Sequence, residues 1–519
     1  MSSCENPNVD KDALMPRRQK FDGKTKICVR CKENTGNVVI RYSVYCKTCF
    51  FPLVQTRFRK SLEPSINATP DGPRKKALKA VGSLVIGLSG GTCSTAMLDL
   101  VAKSYFAPKN EPTGKLKGGK DHPRNSDKGV WKGKAGISYV EVCGAFPGEK
   151  DRTEDIRAVV ESYSNSNFEF LPLRLEDSFD SNWWKSVGGD LSTSAQSLAR
   201  LDLHLVNSSS ESSPLQALRT YLSSLPTQTA FYSAVQMLVR LLLLHTSASR
   251  DASHLLLGTS LTSLSVNLIS GIAQGSGYQV TEEGKEEWNP RPEHGMPLRI
   301  VRPLRDVGMK ECTIWDWWCK LKIVGEPRSL YSGGKNAIGA LTRDFIFGLE
   351  SDYPATVSTV ARTCAKLTPK EGSDEICALC ERPAQHGVQA WKSRISIRSY
   401  QEVSSAVSGN TRPPHLTEEE ITNLTKSSLD ITPTSDHPFS LTPLLCYACH
   451  TLLTSRSSRG LAASLPQGQS TGDVPLPLWV RSSADMAISA HSHESVPLAV
   501  KMSRREMEKE ISEFLLSDE

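Results

Sequence analysis

The sequence predicts an α/β fold built on an open parallel sheet, and three observations carry that prediction. Short apolar runs rich in Val, Ile and Leu alternate with helix-length stretches from residue 83 to residue 323. Such near-continuous apolar runs suit strands buried on both faces, the condition inside a parallel sheet covered by helices. The first run, Ser83-Leu-Val-Ile-Gly-Leu88, ends in Ser89-Gly90-Gly91 and continues directly into the helix-like TCSTAMLDLVAK, a strand, a glycine turn and a helix in succession.

The remaining elements follow in order. Strand-like ISYVEV (137–142) precedes a helix near 153–163, and strand-like FEFLPL (168–173) follows. Helices are expected over 214–224 and 228–247, the second apolar enough to be buried. His254-Leu-Leu-Leu-Gly258 reads as a strand, with a helix after it to about Ile272. Strand LRIVRPL (298–304) and a Trp-rich helix (308–323) close the series. The expected units are a disordered N-terminus (1–24), a Cys-paired module with a basic connector (25–79), the α/β domain (80–366) and a C-terminal Cys-pair module (367–519). Gly- and Pro-rich residues 107–136 and Ser-rich residues 186–213 read as surface insertions in the α/β domain. The last module holds Ser/Thr/Pro-rich insertions and ends in SRREMEKEISEFLLSDE, an expected amphipathic helix with Met507, Ile511, Phe514 and Leu515 on one side. No fixed-period repeat is present.

Composition bounds the function. The 519 residues are 38% hydrophobic and 23% charged, which suits a soluble globular chain of about three domains. The polar, acidic start MSSCENPNVDKD is unlike a signal peptide, and the most apolar stretch, Leu238 to His245, is interrupted by Arg240 and too short to span a membrane. Secretion and membrane insertion are therefore not expected, and a reducing compartment is. The net charge of +6 is unevenly distributed: residues 17–79 hold 16 Lys/Arg against 4 Asp/Glu, and residues 103–136 hold nine against three. A basic front end favours a polyanion, because each phosphate neutralised by Lys or Arg releases a condensed counterion. Arg57, Arg59, Lys60, Lys75 and Lys76 are the candidate polyanion-binding residues. For 103–136 a solvated basic loop is an equal reading.

Eight of the 14 cysteines fall in four Cys-x-x-Cys pairs. The spacing Cys28-x2-Cys31-x14-Cys46-x2-Cys49 is a zinc-ribbon arrangement, in which each pair supplies two thiolates to one tetrahedral ion. So small a module buries little apolar area, and the metal would supply much of its folding free energy. Redox dithiols would need thioredoxin-like surroundings that the sequence lacks. Cys377, Cys380, Cys446 and Cys449 form a second set whose pairs stand 65 residues apart. Loop length adds little entropic cost, so a shared ion is allowed, against separate structural cysteines. His386 and His450 are spare candidate ligands there.

The turn Ser89-Gly90-Gly91-Thr92-Cys93-Ser94 can present successive backbone N–H groups to an anion at a helix start. It is not a Walker loop, since no Gly-Lys-Ser/Thr follows. It resembles Ser-Gly-Gly-x-Asp-Ser, the PP-loop of ATP pyrophosphatases, with Cys93 at the Asp position. With Cys pairs before and after it, the chain is similar to the cytoplasmic tRNA 2-thiolation protein 2 family of fungal type. Three further stretches carry the resemblance: Leu257-Gly258-Thr259-Ser260-Leu261-Thr262-Ser263, Val301-Arg302-Pro303-Leu304-Arg305 and Tyr353-Pro354-Ala355-Thr356-Val357. It implies a PP-loop ATPase-like (adenine nucleotide alpha hydrolase-like) sheet domain with an N-terminal zinc ribbon and a C-terminal Cys-rich zinc module.

The resemblance further implies a cytoplasmic subunit needed to 2-thiolate the wobble uridine of tRNAs for Lys, Glu and Gln. Its partners would be tRNA, a catalytic PP-loop paralogue that binds ATP and Mg²⁺, and a thiocarboxylated ubiquitin-like sulfur carrier. Active relatives carry Gly-His-Asn-x-Asp-Asp after the strand that here ends at Gly258; this chain reads Gly-Thr-Ser-Leu-Thr-Ser. Cys93, Thr262 and Ser263 supply no hard anionic oxygen for a divalent ion, so the nucleotide-binding residues Ser89, Gly90, Gly91, Cys93 and Ser94 form a degraded loop. Cys143 is the one candidate remnant of sulfur transfer. Cys312 and Cys319 are expected in core packing, as are His204, His245 and His254. Trp315, Trp317 and Trp318 either pack in a core or subunit interface or stack on bases. Two alternatives stay open: an independent ATP-dependent tRNA-adenylating sulfurtransferase, and a zinc-ribbon RNA-binding scaffold with no thiolation role. A ubiquitin-ligase-like adaptor fits poorly, since only four ligands lie together in sequence.

Overall fold

Six strands form the central sheet in the computed structural model, which describes residues 26–66, 80–106, 130–163, 167–189, 213–289, 297–324, 337–367, 375–388, 444–454 and 475–480, with a few gaps inside these ranges. The apolar runs become β3 (Ser83–Gly87), β4 (Ala135–Glu141), β5 (Phe168–Arg174), β6 (Ala252–Leu257) and β8 (Leu298–Val301). The order across the sheet is β5-β4-β3-β6-β8-β7, and every pair is parallel except the edge strand β7 (Glu286–Trp288) against β8. This is the open α/β sheet the sequence predicts, with an antiparallel edge that its three residues did not announce. The chain runs outward from β3 to β4 and β5, then returns to place β6 on the other side of β3. The ends of β3 and β6 therefore flank a topological switch point, the crevice where open sheets bind ligands.

The helices are α2 (Thr92–Val101), α3 (Thr153–Glu161), α4 (Ser181–Ser186), α5 (Pro214–Ser223), α6 (Gln228–Ser249), α7 (Leu261–Ala273), α8 (Met309–Cys319), α9 (Ile338–Asp352) and α10 (Pro354–Cys364). Alternation along the strands divides the core between the two faces of the sheet. Leu84, Ile86, Ile137, Tyr139 and Leu256 pack on one side with α2 and α8. Val85, Val140, Leu173, Leu255 and Ile300 pack on the other with α6.

Each Cys-rich module is attached to one of these faces. The N-terminal module is a hairpin of β1 (Val38–Ile40) and β2 (Ser43–Tyr45) followed by α1 (Lys47–Ile66), a 20-residue helix. Residues after Cys49 were expected to be a connector. Instead Phe50, Val54, Phe58, Leu62 and Ile66 repeat every four residues and are buried in the first face's core. Pro52 and Pro64 lie inside this helix, and as helix breakers they hide its period in the sequence. On the other face, Cys377, Leu379, Cys446, Leu453 of α11 (Tyr447–Thr454) and Trp479 join the core of α6.

Several boundaries differ from expectation. Strand β4 starts at Ala135 and Trp131 is buried, so the first insertion ends earlier than residue 136. Strand β8 stops at Val301, where the chain turns with Val307 N–H bonded to the Leu304 carbonyl. Helix α8 ends at Cys319 because Lys320 takes a left-handed φ of 53°. Residues 107–129 and 190–212, His204, and the expected terminal helix with Met507, Ile511, Phe514 and Leu515 lie outside the described residues.

Candidate functional site

Both cysteine sets come together, the first as its spacing predicts and the second as a shared group rather than separate cysteines. The ligand atoms of Cys28, Cys31, Cys46 and Cys49 lie within 4.8 Å of one another, and so do those of Cys377, Cys380, Cys446 and Cys449. A tetrahedron with Zn–S bonds of about 2.3 Å has edges of about 3.8 Å. The Cys31–Cys46 and Cys380–Cys446 Sγ distances are both 3.8 Å, far longer than a disulfide. The donor sets fit zinc.

The two sites differ in surroundings. Cys31 and Cys49 are half-buried, whereas all four cysteines of the second site are buried. In the first, the Thr48 hydroxyl at 3.1 Å helps hold the Cys46 thiol down to about 6. Burial and the neighbouring Cys46 and Cys28 push Cys49 up to about 12. Four thiols so crowded cannot all ionise without a cation between them. In the second, hydrogen bonds from Cys377, Cys446 and Cys449 hold Cys380 well below its ordinary value. Arg240 donates to the Cys380 carbonyl (2.8 Å) and, with Arg302 and Arg382, surrounds Glu286. Burial alone would raise Glu286, but these three guanidinium groups hold it down to about 2. This network ties the module to β7 and α6. His450 is not in the ligand group: it is buried, with Nδ1 3.2 Å from the Thr454 hydroxyl. His386 lies outside the described residues.

The glycine turn sits at the switch point. Gly90 has a φ of +75°, which favours glycine, and a Cβ there would meet Ile156 at 2.4 Å. Ser89 and Ser94 share a hydroxyl bond of 3.0 Å, and Ser94 also donates to the Gly91 carbonyl (2.9 Å). Opposite, a Cβ on Gly258 would meet the Ser94 Cα at 2.6 Å, so the loops after β3 and β6 touch only because 258 is glycine. Bonds from Cys312 and Ser260 lower the Cys93 thiol against the effect of its burial. Thr262 donates to Glu350 of α9 at 2.7 Å and accepts from Met309 N–H at 3.0 Å. The sequence reading missed Glu350, a carboxylate 88 positions away that no spacing rule connects to this loop. The strand, Ser-Gly-Gly turn and helix follow one another as the sequence predicts, lined by hydroxyls and thiols.

The other candidates are placed as follows. Cys143 follows β4, its thiol raised by burial and by Glu141, so it is poorly suited to attack. Glu141 itself accepts the backbone N–H groups of Val142, Cys143 and Arg152 and the Tyr139 hydroxyl. Arg57 is bound to Glu311 at 2.8 Å, Arg59 is half-buried and Lys60 exposed; Lys75 and Lys76 lie outside the described residues. Cys312 is core, and Cys319 packs against it. His245 is stacked among Trp183, Trp184, Trp288 and Trp479, and His254 Nε2 reaches the Ser65 carbonyl at 3.0 Å. Trp315 is buried with its N–H on Asp99, but Trp317 is 73% exposed.

A family model described as Cytoplasmic tRNA 2-thiolation protein 2 matches residues 337–451. A relative of that name from Danio rerio is 29% identical, over 66% of this chain and 68% of its own. Those from Phaeosphaeria nodorum and Kluyveromyces lactis are 25% and 23% identical, over 73% and 84% of this chain and 90% and 94% of their own. The chain is similar, over most of its length, to proteins named cytoplasmic tRNA 2-thiolation protein 2. Among solved structures, it is similar to the U34-tRNA thiolase NcsA from Methanococcus maripaludis with its [4Fe-4S] cluster. That likeness has a TM-score of 0.41 and 17% identity, over 66% of this chain and 88% of the other. The similarity accompanies a fixed order of motifs along the chain: Cys pairs, glycine turn, Gly258 loop and Cys pairs again. Among the described residues, no helix is long and apolar enough to cross a membrane.

Proposed function

We propose that this chain is a non-catalytic subunit of the cytoplasmic machinery that 2-thiolates the wobble uridine of tRNAs for Lys, Glu and Gln. Its similarity to proteins named cytoplasmic tRNA 2-thiolation protein 2 supports involvement in tRNA 2-thiolation. The observation that supports a non-catalytic role is the meeting of the two loops at the switch point. Ser94 and Gly258 are in close contact, but Cys93, Ser260 and Thr262 stand there, and the Thr262 hydroxyl is bonded to Glu350. A Mg²⁺-nucleotide is held partly by anionic carboxylate oxygens, and Cys93, Ser260 and Thr262 offer none.

On this reading a PP-loop paralogue in a heterodimer binds Mg²⁺-ATP and adenylates the uridine oxygen, and a thiocarboxylated ubiquitin-like carrier delivers the sulfur. This chain contributes tRNA affinity through its basic front end and holds its partner through the sheet domain. The two cysteine sites hold structural zinc, one in each Cys-rich module. Thiolation assays with each subunit alone and with both test the assignment. Activity that needs the paralogue, with none from this chain alone, supports it.

A further inference from the structure

Beside the zinc ribbon, the C-terminal end of α8 and the first turn of α1 enclose a cleft of about 710 Å³. Its walls include Lys47, Asp316, Trp317, Trp318, Lys320 and Ile323. The three tryptophans of α8 have separate environments here. Trp315 is in the core, and Trp318 is wedged on Phe50 at 5.0 Å and near Phe51 at 5.9 Å. Trp317 stands outside them, 73% exposed, with its ring 6.2 Å from that of Trp318. An indole left so open has no folding role that its burial would explain.

The charges around it have one sign at the surface. Lys47 lies 5.8 Å over the Trp318 ring, and Lys320 and Lys322 are exposed at the end of α8. Lys320 is held there by its left-handed φ of 53°, a conformation usually left to glycine. The one acid on the wall is Asp316. It is 2% exposed, and neither carboxylate oxygen has a hydrogen-bond partner among the described residues. Burial, with Cys93 and Asp99 nearby, raises it to about 8.

We propose that this cleft binds an unpaired RNA nucleotide, its base stacked on Trp317 and its phosphates beside Lys47 and Lys320. This deepens the reading that the chain contributes tRNA affinity and rests on it. Open aromatic rings with lysines beside them are how single strands are held without a groove readout, by stacking plus phosphate neutralisation. The cationic rim favours RNA over an apolar protein segment. The position next to Cys46 places the cleft in line with the ribbon's basic helix.

The test uses the full chain, a tRNA transcript, a short single-stranded oligouridylate and inorganic polyphosphate at one fixed salt concentration. Trp317→Ala is expected to weaken both RNAs about tenfold, as loss of one stacked base does, and to leave polyphosphate binding unchanged. Trp317→Phe is expected to restore most of the loss. Equal oligouridylate binding by wild type and Trp317→Ala overturns the proposal while leaving the tRNA reading intact. If Trp317→Ala abolishes self-association and leaves RNA binding alone, the face is a protein contact and the proposal falls. If the wild type binds neither RNA, the tRNA reading fails and the cleft assignment with it.

Discussion

Arg57 of the ribbon helix and Glu311 of α8 form an ion pair of 2.8 Å, and the other Glu311 oxygen caps the Gly308 N–H at 3.1 Å. One carboxylate thus fastens the N-terminal module to the start of the helix that carries the tryptophan cluster. Its side chain is only 8% exposed, so losing it strands a charge and a backbone donor together. Glu311→Ala is expected to destabilise the chain by about 2 kcal/mol, the usual cost of removing a hydrogen bond to a charged group. Denaturant unfolding of the two proteins measures it. Arg57 is consequently a docking residue in this structure, and its replacement should lower stability as well as any RNA affinity.

Metal content should be about two zinc ions per chain, one for each tetrahedral set. Cys28→Ser with Cys31→Ser should lose one and weaken tRNA retention. Chelator should strip the first site sooner, because Cys31 and Cys49 are half-buried while the second set is wholly buried. Cys377→Ser should cost soluble protein, since that thiol lies inside the core shared with α6. Mass spectrometry of the native protein with and without chelator reads the metal content directly.

Acid should open the second module. Glu286 is held at about 2 when folded and returns to its ordinary carboxylate value when unfolded. Its stabilisation is present above the unfolded value and is lost as pH falls toward 2. Glu286→Gln is expected to lower the Tm at pH 7 and to flatten the Tm profile on the acid side. A profile unchanged by the substitution would show that the three arginines do not act through Glu286.

Asp316 behaves in the opposite sense. Its folded value of about 8 lies above its unfolded one, so the contribution to stability is fully present at low pH and is lost as pH rises toward 8. Asp316→Asn keeps the shape without the ionisable proton. It should raise the Tm by a few degrees between pH 7 and 8 and leave it nearly unchanged near pH 4, as scanning calorimetry can record.

Neutralising Arg59, Lys60, Lys75 and Lys76 together should reduce the slope of tRNA affinity against salt, because each lost phosphate contact releases fewer counterions. Arg57 is left out because of its pairing with Glu311. An unchanged slope would move the phosphate-binding surface away from α1 and the segment that follows it.

What the sequence disclosed depends on how far apart the cooperating residues lie. The cysteine sites were legible because each ligand pair has two residues between its cysteines and four thiolates complete a tetrahedral zinc site. The sheet was legible because β3, β4 and β6 are buried on both faces and carry apolar runs there. The ribbon helix was not, since Pro52 and Pro64 mask the repeat from Phe50 to Ile66. Nor was the bond between Thr262 and Glu350, which joins two helices that only the fold brings together. The three tryptophans of α8 look alike in sequence. The partners Asp99, Phe50 and Phe51, contributed by α2 and α1, decide that Trp315 and Trp318 pack while Trp317 does not.

The most direct test is ATP-dependent 2-thiolation of tRNA reconstituted with this chain alone, with the PP-loop paralogue alone, and with both. The account predicts no thiolation and no ATP turnover from this chain alone, and thiolation in the presence of the paralogue. Thiolated tRNA from this chain alone would contradict it and would make Cys93 the first residue to replace.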